Sequence, residues 1–246
     1  MSLILKVMAI VCGTVPAMSA GAVRAETVSV AVATNFVEVI EALAPDFART
    51  TEHTLSVTAG STGKLYAQIV NGAPFDVFLA ADQDRPRRLE EDGIAEPGSR
   101  VTYTVGQLVL WSADPGLIGA DGRDALRSRA FRRLAMANPD LAPYGAAARD
   151  ALIALGLYET LRERIVLGEN VGQAYALVAT GNAELGFVAR ASLVAARDRI
   201  DGSAWPVPGA LHPAIRQDAV LVRHRAQTPA RQDAAQAFLG FLLQPD

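Results

Sequence analysis

The chain is organised around ten residues, Ser56-Val57-Thr58-Ala59-Gly60-Ser61-Thr62-Gly63-Lys64-Leu65. The alternating, β-branched residues 54–59 predict a strand, and apolar residues spaced three and four apart predict a helix over 64–70. The turn between them holds two hydroxyl residues between two glycines. Backbone N–H groups at the start of a helix have no intrahelical partner and lie at the positive end of its dipole. This turn is therefore suited to an anion.

The turn has two other interpretations. In the simpler one, Ser61 or Thr62 only caps the helix that follows. In the other, the turn is a nucleotide phosphate loop, but that motif requires a glycine where Thr58 stands and a hydroxyl residue where Leu65 stands. The phosphate-loop interpretation therefore fails on spacing.

A second turn of the same kind favours the anion site over simple capping. A predicted strand over 28–33 is followed by Thr34-Asn35 and by a predicted helix over 36–49. Two helix N-termini with polar donors, one from each strand–helix unit, are expected to face the same point.

Strands and helices alternate along the rest of the chain. Further strands are predicted over 76–80, 134–137, 184–189 and 214–222, and further helices over 85–92, 146–155, 158–164, 173–180 and 229–243. Short connections and nearly all-apolar strands are typical of a mostly parallel sheet covered on both faces.

The β-rich run 101–111 is too long for one ordinary strand and is predicted to pass from one domain to another. The strand over 214–222 is predicted to return to the first domain. We therefore predict an α/β protein of two lobes, with lobe 1 formed by 26–104 and 217–246 and lobe 2 by 105–216. The cleft between them, with hinges near Val105 and Asp218, is the expected ligand site.

The N-terminus has the pattern of an export signal. Lys6 precedes the apolar run 7–15, and small residues then lead to Val23-Arg24-Ala25, which has the form of a cleavage site. The apolar run is shorter than the ~20 residues that a membrane span needs. The sequence predicts a signal peptide over residues 1–25, cleaved near Ala25, and an exported protein.

Composition limits the chemistry of the mature chain. The single cysteine, Cys12, lies in the predicted signal, so disulfides, thiol catalysis and cysteine–zinc sites are excluded. Loss of Lys6 and Arg24, with no acidic residue, changes the formal net charge from −3 to −5, that is, 21 basic against 26 acidic residues. A mildly acidic chain without a basic run predicts no nucleic-acid partner.

No catalytic motif stands out in the sequence. Its three histidines are scattered, without Asp, Glu or Cys at metal-ligand spacing, and no Gly-x-Ser-x-Gly elbow occurs. Ala33-Thr34-Asn35-Phe36 follows the first strand, where a dinucleotide-binding fold would have Gly-x-Gly-x-x-Gly. We therefore predict a protein that is not an enzyme and has neither a cofactor nor metal-cation ligands.

Six segments, taken in order, form a specific set: 31–36, 59–65, 68–78 with Ala81-Asp82 behind it, 138–145, 169–174 and 185–188. In this ordered set the chain resembles the periplasmic molybdate-binding proteins that serve ABC transporters. The resemblance covers nearly all of the mature chain. It implies a two-lobed periplasmic binding protein of the double-crossover type. It also implies a monomer that captures molybdate or tungstate in the periplasm and delivers it to a membrane permease.

The resemblance implies a set of ligand-binding residues as well. They are the hydroxyls of Thr34 and Ser61, the amide of Asn35, and backbone donors at Tyr144 and Val171. Some family members add a tyrosine late in the second lobe, where this chain has Ala189, and Asn35 is expected to replace that donor. Lys64 is expected to point outward. Sulfate or an organic anion as the ligand, and an exported enzyme using the same cleft, remain alternatives.

Overall fold

The structure is a computed structural model that describes residues 25–128, 130–196 and 201–244. Apart from Ala25, the predicted signal peptide lies outside these residues. The strands are β1 (Thr27–Ala33), β2 (Thr54–Gly60), β3 (Val77–Leu79), β4 (Val101–Gly106), β5 (Leu108–Ser112), β6 (Leu134–Ala137), β7 (Ile165–Gly168), β8 (Leu185–Ala189), β9 (Ser203–Pro206) and β10 (Ile215–Leu221). The helices are α1 (Val37–Thr51), α2 (Thr62–Val70), α3 (Asp84–Glu91), α4 (Gly122–Arg127), α5 (Pro143–Ala154), α6 (Tyr158–Leu161), α7 (Val171–Ala179), α8 (Arg190–Ala196) and α9 (Pro229–Leu242).

The strands form two sheets of the same topology. The first has the order β2-β1-β3-β10-β4 and the second the order β7-β6-β8-β5-β9. In each sheet four strands run in one direction, and the fourth strand in the order, β10 or β5, runs against its neighbours. The predicted two-lobed α/β architecture with mixed, mostly parallel sheets is confirmed.

The chain crosses between the sheets twice. The predicted run 101–111 is divided at Gln107, with β4 in the first sheet and β5 in the second, and residues 207–214 return the chain from β9 to β10. Pairing of β10 with β4 extends to Ile215 opposite Gly106. The ladder therefore keeps 105, 106, 215 and 216 in the first sheet, whereas the sequence-based division places them in lobe 2. Asp218, an expected hinge, lies inside that sheet.

Apolar layers cover both faces of each sheet. In β1, Val30 and Val32 pack into a cluster with α1 and α9, while Ala31 packs into another cluster with α2 and α3. In β6, Leu134 and Ala135 likewise belong to different clusters. This alternation follows from the two-residue period of a strand. Among the described residues, no helix has the length and apolar character that crossing a membrane requires.

Some short elements escape prediction from the sequence. The strands β7 and β9 have four residues each and α8 has seven, which is too short for a periodic pattern to be distinctive. The helix predicted from Ala146 begins at Pro143, since proline is favourable in the first turn, where no N–H is needed. The helix predicted from Gln173 begins at Val171, after its cap Asn170.

Candidate anion site

Strand register brings four turns to one place. In the first sheet Ala33 is paired with Gly60, so that Thr34 and Ser61, the next residues, leave adjacent parallel strands side by side. In the second sheet Ala137 is paired with Gly168 in the same way. The turns after β1, β2, β6 and β7 each lead into a helical segment, and carboxyl ends of parallel strands are the usual ligand-binding edge of such sheets.

These turns line a small cavity between the lobes. It is lined by Ala33, Thr34, Asn35, Gly60, Ser61, Thr62, Ala81, Ala142, Pro143, Tyr144, Asn170 and Val171. The structure thus brings together all five residues of the predicted ligand set. None of the described residues that line the cavity carries a formal charge, so an anion there must be held by neutral donors.

Ser61 presents a hydroxyl that the protein itself does not use. It occupies the N-cap position of α2 with extended backbone, but its side chain makes no capping hydrogen bond. The residue is 2% exposed and its Oγ is buried without a hydrogen-bond partner. The adjacent Thr62 Oγ1 accepts from the backbone N–H of Ala81 at 3.1 Å, which fixes the first turn of α2 against the end of β3. The simple capping interpretation of Ser61 is therefore wrong.

Thr34 contributes a second hydroxyl and a contact between the lobes. Its Oγ1 accepts a hydrogen bond from the backbone N–H of Gly172, in the first turn of α7, at 3.3 Å. A hydroxyl has one hydrogen to donate in addition to its acceptor lone pairs. The Thr34 hydrogen therefore stays available to a ligand while its oxygen holds lobe 2.

Asn35 lies beside Thr34 in a short 3-10 turn, Thr34–Phe36, that links β1 to α1. Its side chain is buried, and Nδ2 donates to Oε1 of Gln217 at 2.8 Å. The second hydrogen on Nδ2 is the donor that Asn35 can offer to the cavity. The sequence did not point to Gln217, although a polar residue inside the strand predicted over 214–222 was a signal for it.

Tyr144 offers its backbone amide rather than its phenol. Pro143, the first residue of α5, has no N–H, and the amides of Gly145 and Ala146 donate to the Ala142 carbonyl. The Tyr144 amide is therefore the donor that the first turn leaves for the cavity. Gly145 is required there, because a Cβ would overlap the Ala137 carbonyl.

The Tyr144 ring extends toward the crossing from β4 to β5, where a Cβ on Gly106 would overlap the Tyr144 hydroxyl. Burial raises the pKa of this phenol, while hydrogen bonds from the Gln217 side chain and the Gln107 backbone partly offset that rise. The phenol therefore remains neutral and adds no negative charge beside the cavity.

Val171 provides the corresponding donor at the start of α7. Asn170 is the N-cap of this helix, and its Oδ1 accepts from the backbone N–H of Gln173 at 2.9 Å. The Gly172 amide is taken by Thr34. The Val171 amide is left at the cavity, and the buried Val171 side chain packs into the core of lobe 2.

Two further contacts join the lobes at the rim. The backbone N–H of Gly63 donates to the Leu141 carbonyl at 2.8 Å. Lys64 points outward, as expected from the sequence, but its ammonium group reaches Glu169 of lobe 2 at 3.0 Å. The two lobes therefore contact each other directly around the cavity.

Two larger grooves touch both lobes and are less suited to an anion. One contains three carboxylates, those of Asp82, Asp84 and Asp150, against two guanidinium groups, those of Arg216 and of Arg85, which is paired with Asp82. The other is lined mainly by apolar side chains along α1 and α8. Of these three spaces, the small cavity is the one that combines an unpaired hydroxyl with helix N-termini from both lobes.

Comparisons with known proteins agree with this architecture. A model of the bacterial extracellular solute-binding protein family matches residues 28–246. The chain is 47% identical over 224 residues to the molybdate-binding protein ModA of Azotobacter vinelandii, covering 91% of this chain and 87% of that protein. It is 44% identical over 239 residues to ModA of Rhodobacter capsulatus, covering 97% and 89%.

A solved structure of a molybdate-binding protein has the same fold as this chain. The Azotobacter vinelandii periplasmic molybdate-binding protein matches with a TM-score of 0.83 at 43% identity, over 89% of this chain and 93% of that chain. Sequence and structure thus agree over 91% and 89% of the chain, respectively. The chain belongs to the bacterial extracellular solute-binding proteins and, among them, to the family of the periplasmic molybdate-binding proteins.

Proposed function

We propose that this protein captures molybdate or tungstate outside the cytoplasm and delivers it to the permease of an ABC transporter. The observation that carries the proposal is the Ser61 hydroxyl, which is buried without a partner in a cavity that collects helix N-termini from both lobes. Two molybdate-binding relatives at 44% and 47% identity support the choice of anion.

Neutral donors hold the dianion in this mechanism. The proposed donors are the hydroxyls of Thr34 and Ser61, the Asn35 amide, and the backbone N–H groups of Tyr144 and Val171. Hydrogen bonds to a charged group each contribute ~1.5–3 kcal/mol. Several such donors, fixed in advance by the strand ends, offset the desolvation of the anion without a buried lysine or arginine.

The same fixed donors select the ligand by size. A smaller tetrahedral anion such as sulfate cannot reach all of them, and each donor left unpaired in a buried site lowers affinity. Molybdate and tungstate have the same charge and nearly the same size, so the site is expected to accept both.

Thermal melting of the mature protein against a panel of oxyanions tests the proposal. A ligand at a hundred times its Kd adds about 2.7 kcal/mol of stability. Molybdate and tungstate should therefore raise the melting temperature, sulfate should do so weakly, and Ser61→Ala should reduce the molybdate shift. If molybdate and tungstate left the melting temperature unchanged while sulfate or an organic anion raised it, the proposal would be contradicted.

We also propose export with cleavage near Ala25 and a periplasmic location for the mature protein. The export pattern over residues 1–25 supports this, as does the first strand, which begins at Thr27 directly after the predicted cleavage point. N-terminal sequencing of exported protein should start near Glu26. Retention of Met1 in a membrane fraction would contradict cleavage.

We infer that the lobes, predicted as 26–104 with 217–246 and as 105–216, open without ligand and close around it. Donors from both lobes support closure, as do the direct contacts of Thr34 with Gly172 and of Gly63 with Leu141. Small-angle scattering should show a smaller radius of gyration with molybdate. An unchanged radius would count against a site between moving lobes.

We infer further that the protein is a monomeric binding protein, not an enzyme, without a cofactor or nucleic-acid partner. Tyr144 is the one ionisable side chain among the described residues that line the cavity, and burial raises its pKa. The cavity therefore lacks a general base that would work at neutral pH. Hydrolysis of a phosphate or sulfate ester by the purified protein would contradict this inference.

A further inference from the structure

A row of buried, hydrogen-bonded polar side chains extends from the anion cavity toward the crossing of the chain between the two sheets, near Gln107. Nδ2 of Asn35 donates to Oε1 of Gln217 at 2.8 Å, and Nε2 of Gln217 donates to the Tyr144 hydroxyl at 3.4 Å. Gln217 is 1% exposed. Asn35 lies in lobe 1 and Tyr144 in lobe 2, so Gln217 joins the two halves of the cavity.

The backbone gives Gln217 an unusual position. The pairing of β10 with β4 shifts register between Gln217 and Asp218, and such an irregularity redirects a side chain. Gly106 on the paired strand leaves room for the Gln217 amide, since a Cβ there would lie 2.6 Å from Nε2. The Tyr103 hydroxyl shares its one hydrogen between Oε1 at 3.0 Å and the Ala80 carbonyl at 3.1 Å. Both ends of the Gln217 amide are therefore engaged.

The orientation of Asn35 decides what the anion meets. A carboxamide has a donor end and an acceptor end of nearly the same shape. With one Nδ2 hydrogen held on Gln217 Oε1, the second hydrogen of the Asn35 amide is the one left to donate to an oxyanion. In the reversed amide, Oδ1 of Asn35 would face Gln217 Oε1, so that two acceptor oxygens would oppose each other; the Gln217 contact therefore disfavours that orientation.

We propose that Gln217 is a positioning residue of the anion site, which holds Asn35 with its N–H groups toward the oxyanion and links that orientation to Tyr144 of the other lobe. The inference rests on the proposed function, because it assigns the orientation a role in molybdate binding. It adds to the site a residue 182 positions away from Asn35 in the chain.

Calorimetry with molybdate on four forms of the mature protein tests the inference: wild type, Gln217→Leu, Asn35→Ala and the double variant. Gln217→Leu should raise the Kd about tenfold, the loss of one well-oriented donor. Asn35→Ala should weaken binding by a similar factor. The double variant should bind no more weakly than Asn35→Ala alone, because Gln217 acts through Asn35.

Gln83→Leu is the matched control. Its Nε2 donates to Thr102 Oγ1 at 3.1 Å and to Asp218 Oδ1 at 3.0 Å, beside the same strand but away from the cavity. This variant should keep the wild-type Kd. A purely structural role for Gln217 would instead lower the melting temperature of Gln217→Leu and leave its Kd as close to the wild-type value as that of Gln83→Leu.

A measurement on the wild type covers the case in which Gln217→Leu does not fold. The side-chain amide resonances of Asn35 in 15N-labelled protein should shift when molybdate is added, and an amide that does not shift would overturn the inference. So would a Gln217→Leu variant with wild-type Kd, or fully additive losses in the double variant. If wild type itself shows no binding of molybdate, the proposed function fails, and the inference with it.

Discussion

The two lobes use the same position of the same topology for opposite purposes. In lobe 1, Ser61 is the N-cap of α2, yet its hydroxyl makes no capping hydrogen bond and is buried without a partner. In lobe 2, Asn170 is the N-cap of α7, and its Oδ1 accepts from Gln173 N at 2.9 Å. The Asn170 cap satisfies its own helix, whereas the Ser61 hydroxyl is left to donate to a ligand.

The two caps therefore have opposite effects on the stability of the ligand-free protein. An N-cap hydrogen bond contributes ~1 kcal/mol to stability. A buried hydroxyl without a partner costs roughly 1–3 kcal/mol. The ligand-free protein is therefore destabilised at Ser61 in lobe 1 and stabilised at Asn170 in lobe 2. A polar group that destabilises the free protein is better evidence for a ligand than a cap that satisfies its own helix.

The largest expected effect comes from exchanging each cap for alanine. Ser61→Ala should weaken molybdate binding by ~1.5–3 kcal/mol, the value of a hydrogen bond to a charged group. It should leave the melting temperature of the ligand-free protein unchanged or higher. Asn170→Ala should lower the stability of the free protein by ~1 kcal/mol, with a smaller change in affinity. Calorimetry and ligand-free melting on both variants measure the four values.

The opposite pattern would contradict a ligand-binding role for Ser61. If Ser61→Ala destabilised the free protein and left the molybdate Kd unchanged, Ser61 would be an ordinary structural residue. The difference between the lobes would then have no functional meaning.

A smaller effect is expected from the glycines at which the lobes meet. A Cβ on Gly63 would lie 3.0 Å from the Leu141 carbonyl across the cleft, and one on Gly172 would lie 3.3 Å from Thr34 Cβ. Gly63→Ala should therefore hinder closure and weaken molybdate binding by ~1–3 kcal/mol, the usual cost of overpacking. The same change stabilises an open protein by up to ~1 kcal/mol, since alanine favours a helix.

Gly240→Ala is the control for that helix effect. Gly240 lies in α9, and a Cβ there meets nothing within 4 Å. Its alanine variant should melt at a higher temperature and bind molybdate with the wild-type Kd. Should Gly63→Ala behave in the same way as Gly240→Ala, closure does not depend on the contact between Gly63 and Leu141.

The sequence predicts the parts of the site that are local. The turns at Thr34 and Ser61 are evident because strand, turn and helix follow one another within about ten residues. The start of α5 at Pro143 is missed by three residues, which hides the reason that Tyr144 has the free amide. The cap function of Asn170 is also missed, because a capping bond depends on the side-chain rotamer and not on residue type alone.

The contacts between distant segments cannot be predicted from such patterns. Gln217 and Asn35 are 182 residues apart, and only the return of β10 to the first sheet brings them together. The same is true of Gly63 with Leu141, where neither residue type indicates a contact. Periodicity describes which face of an element is buried, but the partner of a polar side chain depends on the tertiary arrangement.

The smallest effect is expected at the rim, where Lys64 of lobe 1 pairs with Glu169 of lobe 2 at 3.0 Å. The two side chains are 53% and 35% exposed. Pairs of this kind contribute ~0.2–1 kcal/mol and are weakened by salt. Lys64→Ala should therefore raise the molybdate Kd by no more than about fivefold.

Variants of this pair also separate the effect of charge on anion binding from the contact between the two lobes. Lys64→Ala leaves the Glu169 carboxylate unpaired at the rim, where it repels an incoming dianion, so the double variant with Glu169→Ala should bind better than Lys64→Ala alone. Raising the salt concentration should narrow the gap between these two variants, because it screens that repulsion. Calorimetry at two ionic strengths measures both differences. If Lys64→Ala instead abolished binding while Ser61→Ala had no effect, the anion would be held by a cation and the neutral-donor mechanism would be wrong.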